Sequence, residues 1–126
     1  MLRLLIESFI CNFKIDDFFV FRERNGMPVG EEVLVKTENA LVRVVELGPD
    51  EVARWHSHNE VTDNIFCLTG RMYVRMKSPD EEAFLMPGQR CTVAQGRIHQ
   101  VVNADPAKMT YLLVQGGGRY DFNVRG

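Results

Sequence analysis

From residue 31 onward the chain lacks the 3.6-residue apolar period that an amphipathic helix needs, and only the first dozen residues approach one. In its place stands a succession of short runs rich in β-branched and aromatic residues: EEVLVKT, LVRVVEL, NIFCLTG, RMYVRMK, EAFLM, RCTVAQ, HQVVN and MTYLLVQ. Gly48-Pro49-Asp50, Gly70, Ser78-Pro79-Asp80, Pro87-Gly88, Gly96 and the segment Asn103 to Pro106 separate them, and such residues favour turns over continued regular structure. Many short strands joined by polar turns predict an all-β sandwich or barrel.

A chain of 126 residues closes one hydrophobic core and is too short for two ordinary ones, so one domain and one site are expected. The net charge of −2 gives no basic excess to neutralise phosphates, which argues against nucleic acid as a partner. The apolar opening MLRLLIESFICNF is broken by Glu7 and Asn12 and lacks a small-residue cleavage site. Neither a signal peptide nor a membrane anchor is expected there, but an edge strand or short helix packed on a partner subunit. Cys11, Cys67 and Cys91 are odd in number and widely spaced, which fits small buried residues in a reducing cytoplasm better than a disulfide framework. The methionines are dispersed among the strand runs, as core filling requires, with no dense Met/His tract for copper.

Two of the three histidines stand one residue apart in WHSHNEVTD, and the third, His99, lies in QGRIHQVVN. In an extended strand residues two apart share a face, so His56 and His58 project together, away from Trp55 and Ser57. That arrangement suits two ligands on one metal. Asp63 opens the following run, where it can return to the same site on a neighbouring strand. Alternation in HQVVN puts His99, Val101 and Asn103 on one face, and if that face lines a barrel His99 completes the set. An isolated histidine usually makes ordinary structural hydrogen bonds, so it is the spacing around all three that raises a metal site as a candidate.

With these residues the chain resembles the cupin superfamily, small double-stranded β-helix (jelly-roll) barrels. His56, His58, Asp63 and Gly70 stand at the spacings of the family's first motif, and Gly88, Ala94, Gly96, His99 and Asn103 at those of its second. The resemblance covers residues 31–116, leaving 1–30 as an N-terminal extension and 117–126 as a tail that Gly116-Gly117-Gly118 separates from the last strand. There are two departures. Ala94 replaces a proline, at some loss of turn rigidity. Asp63 replaces a glutamate, one methylene longer, so direct ligation needs a backbone shift or a water bridge; otherwise Asp63 orients a three-histidine site. Glu60 has the wrong spacing to take its role, and Asn64 points to the other face.

The resemblance implies one divalent transition metal, Fe, Mn, Zn, Ni or Cu, held by His56, His58, His99 and Asp63, since imidazole and carboxylate do not choose among these ions. It further implies a metal-dependent enzyme of dioxygenase, isomerase or lyase type acting on a small molecule, carboxylated substrates being candidates. The alternative is a non-catalytic ligand-binding or sensing cupin. Arg43, Tyr73 and Tyr111 are candidate substrate contacts, each with a plainer explanation as a rim, solvated-face or packed residue. Cys67 shares parity with Asp63 and Ile65 and is a remoter candidate for a thiolate ligand. A homodimer is expected, because the apolar N-terminal run and the open sheet edges both need cover.

Overall fold

The computed structural model describes residues 23–24, 27–28, 30–49 and 51–126. Cys11 and the expected strand or helix over the opening run lie outside the described residues. A short antiparallel ladder, β1 (Glu23–Arg24) with β2 (Met27–Pro28), precedes the main body.

Two antiparallel sheets of five strands form that body, and every pairing within them is antiparallel. The first contains β3 (Glu31–Lys36), β4 (Ala40–Leu47), β11 (Met109–Gly116), β6 (Thr62–Thr69) and β9 (Arg90–Val93), in that spatial order. The second contains β12 (Asn123–Val124), β5 (His56–Ser57), β10 (His99–Asn103), β7 (Met72–Met76) and β8 (Glu81–Leu85). All eight runs singled out in the sequence form strands. The two additions to the main sheets, β5 and β12, are two residues each and too short to leave a periodic signal.

Alternation decides which side chains make the core. Along β4 the inward positions are Leu41, Arg43, Val45 and Leu47, and along β11 they are Met109, Tyr111, Leu113 and Gln115. Ile65, Cys67, Met72, Val74 and Val101 meet them from β6, β7 and β10, and all are buried. Each large aliphatic side chain buried in this way contributes about 1.5–3 kcal/mol relative to exposure. The same faces carry Arg43, Gln115 and Asp63, so one region of an otherwise apolar interior is polar. Register brings two of these together: Gln115 pairs with Asp63 across β11 and β6.

The turns hold this register. Asn103 ends β10, and its side-chain amide donates to the carbonyls of Leu47, Gly48 and Ala107 while its oxygen accepts from the Asp105 amide. Residues 117–126, a tail in the sequence, do leave β11 at Gly117, with φ of 100°, and then dock on the second sheet. There β12 pairs with β5, Asn123 opposite Ser57 and Val124 opposite His56.

Gly70 joins β6 to β7 with φ of 78°, and a Cβ on it would lie 2.6 Å from the Cβ of Met109. Gly70→Ala combines left-handed strain with a clash against a buried strand. It is expected to lower stability by about 1–3 kcal/mol, read as a reduced denaturant midpoint in urea unfolding.

Candidate metal centre

His56 on β5 is the direct cross-strand partner of His99 on β10, and their ring centroids lie 4.2 Å apart. His58, two residues beyond His56 on the same face, brings its ring to 4.9 Å from His56 and 5.4 Å from His99. The loop before His99 is fixed to this strand by the Gly96 amide, which donates to the His58 carbonyl at 2.7 Å. That bond, with the β5–β10 pairing, closes the gap of 41 residues between His58 and His99. Asp63 arrives from the opposite sheet, at the start of β6. One ligand atom from each of the four residues falls within 4.8 Å of all the others, and all four side chains are buried.

The hydrogen bonds behind the rings fix the tautomers. Nδ1 of His56 lies 2.6 Å from the Arg54 carbonyl, Nδ1 of His58 lies 2.6 Å from the Asp121 carbonyl, and Nδ1 of His99 lies 2.8 Å from the Arg97 carbonyl. A carbonyl oxygen only accepts, so each Nδ1 carries a proton and donates it, which leaves each Nε2 as the metal-facing nitrogen. Backing interactions of this kind orient histidine ligands in metal proteins. Burial, and then the adjacent His99 and His58, hold the His56 pKa well below its usual range, so His56 stays neutral.

Asp63 Oδ2 stands 2.8 Å from Nε2 of His99 and 3.3 Å from Nε2 of His58. With Nδ1 already protonated, a neutral His99 would set one lone pair against another at that distance. The contact needs something shared between the two atoms, either a proton or a metal ion. Burial pushes the Asp63 carboxyl up, but hydrogen bonds from His58 and His99 and their charge outweigh it and keep Asp63 ionised. Two ligands about 2.1 Å from one ion and at right angles stand about 3.0 Å apart, so these separations suit neighbouring positions on a metal. The donor set fits one divalent ion, and Asp63 reaches the histidines despite its shorter side chain.

The remaining sequence candidates divide. Arg43 points into the barrel, fully buried, not to its rim. Its Nη1 donates to Glu31 Oε2 at 2.9 Å and its Nη2 to Gln115 Oε1 at 2.7 Å. Glu31 is its counter-ion and Gln115 takes the other arm of its fork, so two of its nitrogens are already engaged within the protein. Tyr73 is placed elsewhere. It lies on the outward face of β7 beside Phe84, 5.1 Å between centroids, so it does not line the interior. Tyr111 is in the core, its hydroxyl without a hydrogen-bond partner among the described residues, and burial pushes its pKa well above the usual range. Cys67 points inward, its thiol toward the carbonyls of Thr69 and Gly70, and burial raises its pKa, so it stays a thiol. Glu60 is exposed and accepts from the Arg119 amide; Asn64 accepts from Thr92.

Four contributors were missed in the sequence: Glu31, Gln115, Tyr120 and Phe122. Phe122 stacks on His56, centroids 4.4 Å apart with rings 17° from parallel, and Tyr120 lies 5.5 Å from His58. Burial pushes the Tyr120 phenol up to about 12, with Arg43 opposing the rise. Gln115 left a signal, a polar residue at an inward position of an apolar strand. Tyr120 and Phe122 left only their spacing of two.

No protein-family model and no curated protein matches the chain. Solved structures do. An uncharacterised Klebsiella pneumoniae protein with a double-stranded β-helix domain superposes with a TM-score of 0.70 at 21% identity, over 90% of this chain and 96% of its own. The cupin domain of Schizosaccharomyces pombe Cnp3 gives 0.61 at 13% identity, over 69% and 63%. The fold is that of the cupins. An oxalate oxidase solved in complex with glycolate shares it, with a TM-score of 0.65 at 13% identity, over 81% of this chain and 58% of the oxidase. In this cupin barrel the four candidate ligands gather in the interior, under Tyr120 and Phe122.

If the four side chains share one ion, His56→Ala and His99→Ala each delete a donor and are expected to remove most bound metal, measured by elemental analysis of protein purified without chelator. Asp63→Asn keeps a weaker oxygen donor and should retain more metal than either histidine variant. Full occupancy in both histidine variants would refute a shared site.

Proposed function

We propose that this cupin holds one divalent transition metal, Fe, Mn, Zn, Ni or Cu, on His56, His58, His99 and Asp63, and is a metal-dependent enzyme acting on a small anionic molecule, with carboxylates the favoured class. The observation that carries the metal is the convergence of four buried donors, one ligand atom from each within 4.8 Å of the others, on histidines whose Nδ1 atoms are already donors. When bound, such an ion supplies Lewis-acid polarisation of an oxygen ligand or an activated water. Dioxygenase, isomerase and lyase chemistries all use a centre of this kind.

The anionic preference follows from charge. The Arg43–Glu31 pair is neutral, the Nδ1-donating histidines contribute no charge as ligands, and Asp63 offsets one of the metal's two charges. Tyr111 and Tyr120, both raised in pKa by burial, stay protonated. The loaded interior keeps one unmatched positive charge, and a buried unmatched charge is costly. A carboxylate or an enolate bound there removes that cost. The protein's part is to orient the three imidazoles through backbone carbonyls and to exclude water with Tyr120 and Phe122. A substrate approaching the ion's site from this side would have to displace those two side chains.

The near-complete burial of all four ligand side chains favours a second reading, a metal-bearing binding module without turnover. Conversion of a bound carboxylate, or dioxygen uptake in its presence, separates the two. We further propose a homodimer in a reducing cytoplasm, supported by exposed Leu34 and Val35 on the edge strand β3 and by the free thiols Cys67 and Cys91. Light scattering on the purified protein tests the dimer.

The primary test is metal content of wild type against His58→Ala, followed by ligand-dependent melting of the Zn2+-loaded protein. Near one equivalent of metal, lost in the variant, is expected. Glycolate should raise the melting temperature in a concentration-dependent way while neutral ethylene glycol does not. Equal shifts with both would refute the anionic preference, and no metal after anaerobic reconstitution would refute the metal.

A further inference from the structure

Gln115 stands at the end of β11, fully buried, between one group that only donates and another that, ionised, only accepts. Arg43 Nη2 lies 2.7 Å from Gln115 Oε1. A guanidinium has no acceptor, so the amide oxygen must face Arg43 and the amide cannot flip. Its Nε2 then points at Asp63 Oδ1, 3.0 Å away, and donates to it, with His58 Nε2 at 3.3 Å. Arg43 is itself held by Glu31, so the order Glu31, Arg43, Gln115, Asp63 runs through buried side chains from a counter-ion to the candidate ligand.

The two oxygens of Asp63 are therefore committed differently. Oδ1 accepts from Gln115, while Oδ2 faces the histidine nitrogens. We propose that Gln115 is a positioning residue of the centre: locked in one orientation by Arg43, it occupies Oδ1 and restricts Asp63 to a single oxygen for the metal. This rests on the metal reading above. Three imidazoles and one carboxylate oxygen leave two positions on a six-coordinate ion, whereas a carboxylate binding through both oxygens leaves one. Gln115 thus sets whether a small anion can bind through two of its own oxygens.

A double-mutant cycle on Co2+ affinity, measured by chelator competition, tests this with Gln115→Met, Asp63→Asn and the pair. Gln115→Met is expected to weaken Co2+ binding about tenfold or more, the usual effect of removing a residue that orients a ligand. The double variant should bind no more weakly than Asp63→Asn alone, because Gln115 acts through Asp63. The visible Co2+ absorption of Gln115→Met should also change, as Oδ1 is no longer held by the amide. Additive losses, or no loss in Gln115→Met, would overturn the proposal while leaving the metal centre standing. If Asp63→Asn binds Co2+ as tightly as wild type, Asp63 is not a ligand, and the proposal fails while a three-histidine metal site stands. Should Gln115→Met not fold, the 15N-labelled wild type loaded with Zn2+ decides: Gln115 side-chain amide protons protected from exchange support the proposal, and free exchange with water overturns it.

Discussion

A buried carboxylate faces imidazoles whose outer nitrogens already donate their N–H groups to backbone carbonyls, and the interior of this barrel is organised around that confrontation. Asp63 and His99 meet from opposite sheets, so a proton or ion shared between them would tie the two layers together at the site. Without a shared proton or metal ion, two lone pairs would be pressed together away from water, and burial in a medium of low polarity would magnify the cost. The polar chain behind Asp63 makes the arrangement tolerable. Gln115 satisfies the second oxygen, Arg43 satisfies Gln115, and Glu31 balances Arg43.

The same arrangement explains why so polar a cluster sits inside a small β barrel. Apolar side chains from β4, β6, β7, β10 and β11 fill the remainder of the space between the sheets, and they supply the stability that a buried ionic network does not reliably give. The polar residues occupy inward positions of strands that are otherwise apolar, where register rather than local preference brings them together. Gln115 opposite Asp63 is a consequence of β11 and β6 pairing as they do. A slip of one residue would turn both to the outer face.

Much of this was legible before any coordinates. The eight strand runs declared themselves through β-branched residues and turn punctuation, and a two-residue period placed His56 with His58 and His99 with Val101. Local pattern did not show how charges would be shared inside. Arg43 reads equally well as a rim residue or a substrate clamp until Glu31, twelve positions earlier, is seen to occupy its guanidinium. Alternation along β7 gives two faces without saying which one is inward; Met72, Val74 and Met76 take the interior and leave Tyr73 outside. The docking of the tail leaves no local signal for a different reason. Three consecutive glycines suggest only separation, and the docking of residues 119–126 depends on hydrogen bonds from distant backbone that no local window contains.

That docking has a thermodynamic corollary. His58 obtains its orienting acceptor from Asp121, and Asn59 donates its amide to the side chain of the same residue, so the segment closing over the centre also holds one of its walls. Two processes that share a group are linked, and linkage between binding equilibria is reciprocal. Whatever factor the docked segment adds to the affinity for an ion, the ion returns to the docking equilibrium. The tail is then an intrinsic reporter of occupancy: exchange protection of the backbone amides of Asn59 and Arg125, whose acceptors are Asp121 and Trp55, registers the state of the interior from the surface.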